Sequence, residues 1–124
     1  MAFLFVEVIY LDKLHTVKKN LDFSNIIHNG HFVKNNSYVI YYKESGLSSY
    51  RFGISVSKKL GNAVYRNKYK RQLRFIIDMN KKNYQNGLDY IIIIRNGYIE
   101  SNFDLKNKDF VYLINKINNE IKEN

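Results

Sequence analysis

Residues 57–74 read SKKLGNAVYRNKYKRQLR, and the fold of the chain is organised around this stretch. Seven of its eighteen residues are Lys or Arg and none is acidic, so opposite charges cannot pair along a helix here. Gly61 interrupts the preceding segment, Asn62 is a suitable N-cap, and no Gly or Pro follows before Met79. The stretch predicts a capped basic helix, and because its cations repel one another it predicts a polyanionic partner.

Two stripes run along this predicted helix if each residue turns the chain by about 100°. The apolar residues that share one arc and should face a core are Tyr65, Tyr69, Leu73, Ile76 and Ile77. The basic residues that form a neighbouring row are Arg66, Lys70 and Arg74, with Asn67 and Arg71 beside the row and Lys68 farther round. A solvated charged face is the alternative, but charge of one sign, three arginines and a capped start favour nucleic acid.

The segments around this helix alternate between patterns typical of strands and of helices. The predicted strands are residues 38–43, 50–57 and 90–95. The last of these is apolar on both faces, as expected of a covered inner strand. Because one strand precedes the basic helix and another follows it, the sequence predicts a βαβ unit.

Two further helices and four turns complete the predicted order. Residues 21–30 read as a short helix with Gly30 at its C-cap. A terminal helix should start at about Asp104, with Asn102 or Asp104 as its cap, because apolar residues recur there every three or four positions. The turns are predicted at residues 34–37, 44–49, 86–87 and 96–97.

The strand at residues 50–57 alternates between large apolar and small or polar side chains. Its second face carries Arg51, Gly53, Ser55 and Ser57. Such a face would let a backbone or a nucleotide approach closely, but an ordinary solvent face has the same pattern. The sequence leaves both interpretations open.

Composition limits the classes of protein that fit. The chain has 124 residues, enough for one domain with a modest core, and a net charge of +9 that suits nucleic acid or an anionic membrane surface. It has no Cys, which excludes disulfides and thiolate chemistry. Residues 1–13 have a strand-like pattern and lack the basic start and the long apolar run of a signal peptide.

No catalytic or metal-binding group is evident in the sequence. His28 and His31 are three residues apart, but Gly30 lies between them and no acidic partner is near. The serines of the strand at residues 50–57 have no evident His and Asp partners. The carboxylates stand one per segment rather than in the pairs of a two-metal nuclease. We therefore expect no catalytic and no metal site in this chain.

At the basic helix the sequence resembles a known family. Residues 55–64, SVSKKLGNAV, followed by residues 66–74, RNKYKRQLR, closely resemble the signature of the bacterial ribonuclease P protein subunit. One departure is that Lys68 stands where the family usually has Arg, which keeps the charge but loses the planar two-pronged donor. The resemblance extends from about Leu14 to Ile117.

The resemblance implies a single α+β domain. It implies a sandwich of a small mixed, mainly antiparallel sheet and about three helices, with a βαβ crossover that is left-handed in the family. Residues 14–124 would form this domain, and residues 1–13 would be an extension of it. The implied location is the cytoplasm, and no membrane partner is implied.

The resemblance also implies a function. Ribonuclease P removes the 5′ leader of precursor tRNA endonucleolytically, and its protein subunit binds the catalytic RNA and the leader. The RNA would carry the chemistry and hold most of the Mg²⁺, the protein alone would bind no cofactor, and one protein would serve each RNA.

Site residues carry over position by position. Those expected to meet the catalytic RNA are Arg66, Asn67, Lys68, Lys70, Arg71 and Arg74. Those expected to line a cleft for the precursor-tRNA leader are Phe23, Tyr41 and Arg51. Lys58 and Lys59 are expected to contact phosphate, without assignment to either RNA.

Two other classes of protein share some of these features. A ribosomal or general RNA-binding protein would carry the basic helix without taking part in cleavage. A membrane-surface protein would use the helix as an anchor, but the apolar stripe is needed to close the core, which leaves little to insert into lipid.

Overall fold

The computed structural model describes residues 4–7 and 20–123, and it shows one five-stranded sheet with four α-helices. The strands are β1 (Leu4–Glu7), β2 (His31–Lys34), β3 (Tyr38–Glu44), β4 (Arg51–Ser57) and β5 (Leu88–Ile94). The helices are α1 (Asn20–Asn29), α2 (Ala63–Met79), α3 (Asn96–Glu100) and α4 (Phe103–Glu123). Single 3₁₀ turns occupy Lys58–Leu60 and Lys81–Asn83.

The strand order in the sheet is β1-β4-β5-β3-β2. Of the four strand pairs in this described sheet, β4 with β5 is parallel and the other three are antiparallel. The basic helix α2 connects the two parallel strands, as the predicted βαβ unit requires. The mixed, mainly antiparallel α+β fold is therefore confirmed, and the handedness of the crossover stays a prediction.

One face of the sheet forms the main core with α2 and α4. Alternate residues of the strands, such as Ile40, Ile54 and Ile92, are fully buried against helix residues such as Leu73 and Leu113. β5 is buried on both faces along almost its whole length, as its continuous apolar run predicts. This face holds most of the buried apolar surface of the described chain.

The opposite face carries α1. Phe23 and Ile26 of this helix pack on Ile91 of β5. A Cβ placed on Gly53 of β4 would lie 2.3 Å from Cζ of Phe23, so the Phe23 ring rests directly on the glycine. At Gly53 the small face of β4 is therefore not a solvent face, and the group that approaches it closely is the Phe23 side chain and not a backbone or a nucleotide.

Gly30 follows α1 at the predicted C-cap, but the reason for a glycine there is not a left-handed backbone. Its N–H donates to the carbonyl oxygen of Ile26 at 2.9 Å, but positive φ angles occur at Gly46, Gly61 and Gly87 and not at Gly30. A Cβ at Gly30 would lie 2.6 Å from the carbonyl oxygen of Tyr42. Gly30 is needed because the backbone of β3 passes so close to the end of the helix.

Two short elements were not predicted. β2 has four residues of which only Val33 is buried, so its pattern in the sequence is weak. The predicted turn at residues 96–97 is the start of the five-residue helix α3, so that prediction was wrong. The predicted cap of α4 is confirmed, because Asn102 Oδ1 accepts a hydrogen bond from the Leu105 N–H at 2.9 Å.

Within the predicted N-terminal extension, β1 pairs antiparallel with the outer edge of β4, and Leu4 lies opposite Ser57. The other residues of the extension lie outside the described part of the chain, so the division at residue 13 stays a prediction. No helix in the described ranges combines the length and the hydrophobicity that crossing a bilayer requires.

Candidate nucleic-acid interface

The start of α2 is fixed by two side-chain caps. Ser57 Oγ accepts a hydrogen bond from the Lys59 N–H at 3.2 Å, which forms the turn after β4. Asn62 Oδ1 accepts one from the Tyr65 N–H at 3.2 Å, which confirms the predicted N-cap. Between them Gly61 has a φ of 140°, a value that side-chain-bearing residues rarely adopt. These caps leave Lys58 and Lys59 exposed beside the first turn of the helix.

The buried face of α2 differs from the predicted apolar stripe at its N-terminal half. Tyr65 is 53% exposed, whereas Lys70 is only 6% exposed. The buried residues are Tyr69, Lys70, Leu73, Ile76 and Ile77, which recur at the helical spacing of three and four. The prediction for Tyr65 was wrong because the core-facing arc passes through Lys70, whose aliphatic stem can lie against apolar neighbours.

Because Lys70 is buried, the exposed basic surface of α2 differs from the predicted one. Its members, here called the α2 basic surface, are Asn67, Lys68, Arg71 and Arg74, all exposed, with Arg66 half-buried at its edge. Burial lowers the pKa of the Lys70 ammonium. The predicted continuous row of Arg66, Lys70 and Arg74 is thus interrupted at its middle member. Whether each residue contacts RNA stays a prediction.

Arg51 is held by two carboxylates. Its Nε and Nη2 atoms lie 2.8 and 2.6 Å from the two carboxylate oxygens of the buried Asp89 on β5. Its Nη1 atom lies 3.6 Å from Oδ2 of Asp22 on α1. The paired hydrogen bonds to Asp89 are the main reason why the pKa of Arg51 is raised. This ion-pair cluster joins β4, β5 and α1, so Arg51 already has protein partners, and its predicted contact with the leader stays a prediction.

An aromatic pair lies on the same face of the sheet as α1. Tyr41 of β3 is half-buried, and Phe32 lies opposite it on β2 with the ring centroids 5.6 Å apart. Phe32 is 53% exposed. Sequence reasoning missed Phe32 because it missed β2, in which the adjacent apolar residues Phe32 and Val33 were the only, weak signal of a strand. We call Phe32 and Tyr41 the aromatic pair.

Phe23 has a different place from that expected of a base-stacking residue. It is 2% exposed, and its ring lies between α1 and Gly53 of β4. In this position it fixes α1 on the sheet and leaves almost no ring surface for a nucleotide. The residues predicted for the leader therefore comprise one buried anchor, one ion-paired arginine and one partly open tyrosine.

The two predicted groups of RNA-binding residues lie on different sides of the molecule. The aromatic pair shares its face with α1, whereas α2 packs on the opposite face of the sheet. His31 is exposed, and its ring lies tilted against that of Tyr42 with the centroids 5.5 Å apart. Across the described residues, no three His, Cys, Asp or Glu side chains are grouped so that they could hold a metal ion.

A comparison with protein families decides what this arrangement belongs to. The family model for Ribonuclease P matches residues 11–118 of the chain. The chain belongs to the ribonuclease P protein family. The predicted resemblance is thereby confirmed.

Relatives and solved structures of ribonuclease P proteins agree with this assignment. The chain is 43% identical to the ribonuclease P protein component of Mesoplasma florum over 99 residues, which cover 79% of this chain and 90% of that protein. It is 38% identical to that of Streptococcus agalactiae over 104 residues, which cover 84% and 94%. The RNase P protein structure from Staphylococcus aureus matches with a TM-score of 0.74 and 35% identity, covering 82% of this chain and 93% of that one.

The Thermotoga maritima RNase P protein structure also matches with a TM-score of 0.74, at 28% identity, over 81% of this chain and 94% of that one. As a member of the ribonuclease P protein family, the chain is a subunit of a ribonucleoprotein endoribonuclease of tRNA processing, and its partner is the ribonuclease P RNA. Nothing in these likenesses favours a ribosomal or general RNA-binding protein.

Proposed function

We propose that this ribonuclease P protein uses two separate surfaces for two RNAs. The α2 basic surface binds the catalytic RNA, and the face that carries α1 and the aromatic pair binds the single-stranded 5′ leader of precursor tRNA. The observation that carries the proposal is the aromatic pair on the face opposite α2, in which Phe32 is exposed and Tyr41 is half-buried. A single strand offers unpaired bases, and exposed aromatic rings are the side chains on which such bases stack.

The α2 basic surface suits a phosphate backbone. Lys68, Arg71 and Arg74 are exposed on consecutive turns of one helix, and the first turn of that helix contains no acidic residue. Lys58 and Lys59 extend the positive charge beyond the start of α2. Cations arranged in this way release counterions when they meet phosphates, which favours binding at low salt.

The cleavage chemistry is assigned to the RNA. Across the described residues no three His, Cys, Asp or Glu side chains are grouped so that they could hold a metal ion, which supports this assignment. We propose that the Mg²⁺ is held mainly by the RNA and that one protein binds each RNA in the cytoplasm. Nuclease-free protein should then leave precursor tRNA intact until the catalytic RNA is added; Mg²⁺-dependent cleavage by the protein alone would overturn this assignment.

The leader surface is tested with substrates that differ only in the leader. Tyr41→Ala and Phe32→Ala should each weaken binding of precursor tRNA by the reconstituted enzyme by roughly tenfold, since stacking of one base is worth about 1–3 kcal/mol. Binding of mature tRNA should change little. Tyr112→Ala is the matched control, because Tyr112 is an exposed aromatic residue on α4, which packs on the other face. Equal losses for both substrates would remove the aromatic pair from the leader surface.

A further inference from the structure

Lys106 of α4 is a buried cation at the place where α2, α3 and α4 meet. It is 7% exposed, although it belongs to the first turns of a surface helix. Its Nζ atom lies 3.3 Å from Oε1 of Gln72 on α2 and 4.6 Å from the centre of the Tyr98 ring on α3. We call this group, together with Lys68, the Lys106 junction.

The Lys106 ammonium lacks the counter-charge that a buried cation normally has. No carboxylate within the described residues forms a salt bridge with it, and the charged group that acts on it is another cation, Lys68. Burial lowers the pKa of Lys106, and the nearby charge of Lys68 lowers it further. Burying a charge is costly unless an opposite charge compensates it, so the junction is electrostatically incomplete.

The other groups of the junction hold the ammonium in place. Gln72 Oε1 lies 3.2 Å from the Tyr98 hydroxyl, and that hydroxyl donates to the carbonyl oxygen of Tyr69 at 2.9 Å. Three helices are thus linked through Gln72 and Tyr98. An ammonium has three donors, and Gln72 occupies one of them while the Tyr98 ring faces the group. The arrangement presents a fixed positive charge with donor capacity in reserve.

Lys68 lies one helical turn before Gln72, on the exposed side of α2. Its side chain is long and flexible, whereas Lys106 is confined, so the two ammonium groups differ in mobility. An oxyanion that binds between them would compensate both charges at once. Because so little of Lys106 is exposed, the junction suits the oxygen of a phosphate and not a nucleotide base.

We propose that Lys68 and Lys106 together hold one phosphate group, with Gln72 and Tyr98 positioning Lys106. This inference rests on the proposed function, because the phosphate would be one of the catalytic RNA, and it adds α4 to the helix that contacts this RNA. Inorganic phosphate has the same binding chemistry, so the two sources must be separated by experiment.

The first arm of the test uses inorganic phosphate. Melting temperatures are measured in sodium phosphate and in sodium chloride of equal ionic strength for the wild type, Lys106→Met and Lys116→Met. Lys116 is the matched control, since it is an exposed lysine on the same helix. Phosphate should raise the melting temperature of the wild type and of Lys116→Met by more than that of Lys106→Met. Equal gains in all three proteins would show that phosphate does not use the junction.

The second arm measures binding to the catalytic RNA over a range of salt. One lost phosphate contact lowers the slope of log affinity against log salt by roughly 0.7–0.9, so the advantage of the wild type over Lys106→Met should shrink about threefold between 50 and 200 mM salt. Lys116→Met should keep the wild-type slope. Lys106→Arg, which keeps the charge, should keep it as well. A structural lysine would change stability without changing the slope.

If Lys68 and Lys106 share one phosphate, the losses in salt slope caused by substituting each of them should not add. Lys68→Met changes an exposed residue and should remain folded, and it should lose the phosphate-specific stabilisation as Lys106→Met does. The double variant should lose about one contact from the salt slope and not two. A loss of about two contacts from the slope would show two independent phosphates and would contradict the junction. Failure of the wild type to bind the catalytic RNA would contradict the proposed function itself, whereas wild-type binding with an unchanged slope for Lys106→Met would contradict only the junction.

Discussion

One face of the sheet is covered by α2 and α4, whereas the ten residues of α1 lie on the opposite face. On the first face every second residue of β3, β4 and β5 is a buried aliphatic or aromatic residue. The helices contribute fully buried partners such as Leu73 and Phe110. On the second face the buried cluster among the described residues consists of Phe23, Ile26 and Ile91, and the aromatic pair lies beside it.

The difference between the two faces shows how a small domain separates the surface that stabilises it from surface that stays exposed. The face with α2 and α4 supplies most of the buried apolar area, so its helices can carry exposed cations on their outer sides. The face with α1 has few buried contacts and uses the ion-pair cluster around Arg51 to hold the helix. It can therefore leave aromatic rings uncovered.

The largest loss of folding stability should come from substituting Phe23, the residue that anchors α1 on the sheet. Phe23→Ala should cost about 3–5 kcal/mol, because it empties a buried site above Gly53. If the two faces differ as described, amide hydrogen exchange in Phe23→Ala should speed up more in α1 than in α2. Uniform acceleration in both helices would show that α1 and the main core unfold as one unit, and the contrast between the faces would fail.

The next largest loss of folding stability should come from breaking the ion-pair cluster around Arg51. Asp89→Asn should cost about 3 kcal/mol, because it leaves the Arg51 guanidinium without its paired acceptor in a largely buried place. Asp78→Asn is the matched control, since Asp78 pairs with Lys81 on the surface at 3.1 Å and such pairs are worth about 0–1 kcal/mol. Urea unfolding of both variants measures the difference. Equal costs would mean that the pair of Arg51 and Asp89 stabilises the fold no more than a surface pair does.

Alkaline pH should act on the core between the sheet, α2 and α4. Burial raises the pKa of Tyr90 to about 12, so the fold keeps this hydroxyl neutral, whereas the unfolded chain ionises near pH 10. The stability linked to Tyr90 is thus complete below pH 10 and is lost as the pH rises through 12, amounting to roughly 2–3 kcal/mol.

Burial also raises the pKa of Tyr38, Tyr84 and Tyr98, which act in the same direction. Unfolding curves between pH 9 and 12 should therefore show a steep loss of stability, and Tyr90→Phe should make the loss shallower. Tyr112→Phe, at an exposed tyrosine, should leave the curve of the wild type unchanged. A wild-type protein whose stability does not fall above pH 10 would contradict the burial of these hydroxyls.

The smallest effect on folding should come from the α2 basic surface. Arg74→Ala should change the free energy of unfolding by no more than about 0.5 kcal/mol, since Arg74 is exposed. Its effect should appear in RNA binding, where the slope of log affinity against log salt should fall by about one. Lys116→Ala removes an equal charge from α4 and serves as the control. A full slope for folded Arg74→Ala would place this residue away from the RNA.

Local signals explain what the sequence predicted well. The cap at Asn62, the uninterrupted helix up to Met79 and the apolar run of β5 each depend on neighbours in the chain, and the structure confirms all three. β2 and α3 are too short for a periodic pattern, so neighbours in space determine them.

The candidate site depended more on contacts between distant segments. Arg51 and Asp89 meet only because β4 and β5 are parallel neighbours, and no local pattern connects Arg51 with Asp22 on α1. The side of α2 on which Lys70 lies depends on the neighbours of the helix and not on the polarity of Lys70 alone. The aromatic pair required β2, whose four residues give only a weak pattern in the sequence.

The position of β5 in the middle of the sheet has a consequence for the order of synthesis. β5 joins β3 on one side to β4 on the other, yet it is the last strand that a ribosome produces. Until Leu88–Ile94 has emerged, β2 and β3 cannot be joined to β1 and β4, and α2 has no completed sheet to pack on. A nascent chain therefore carries the cations of α2 before it has the fold that orders them, and its ability to bind RNA specifically begins only with the final strand.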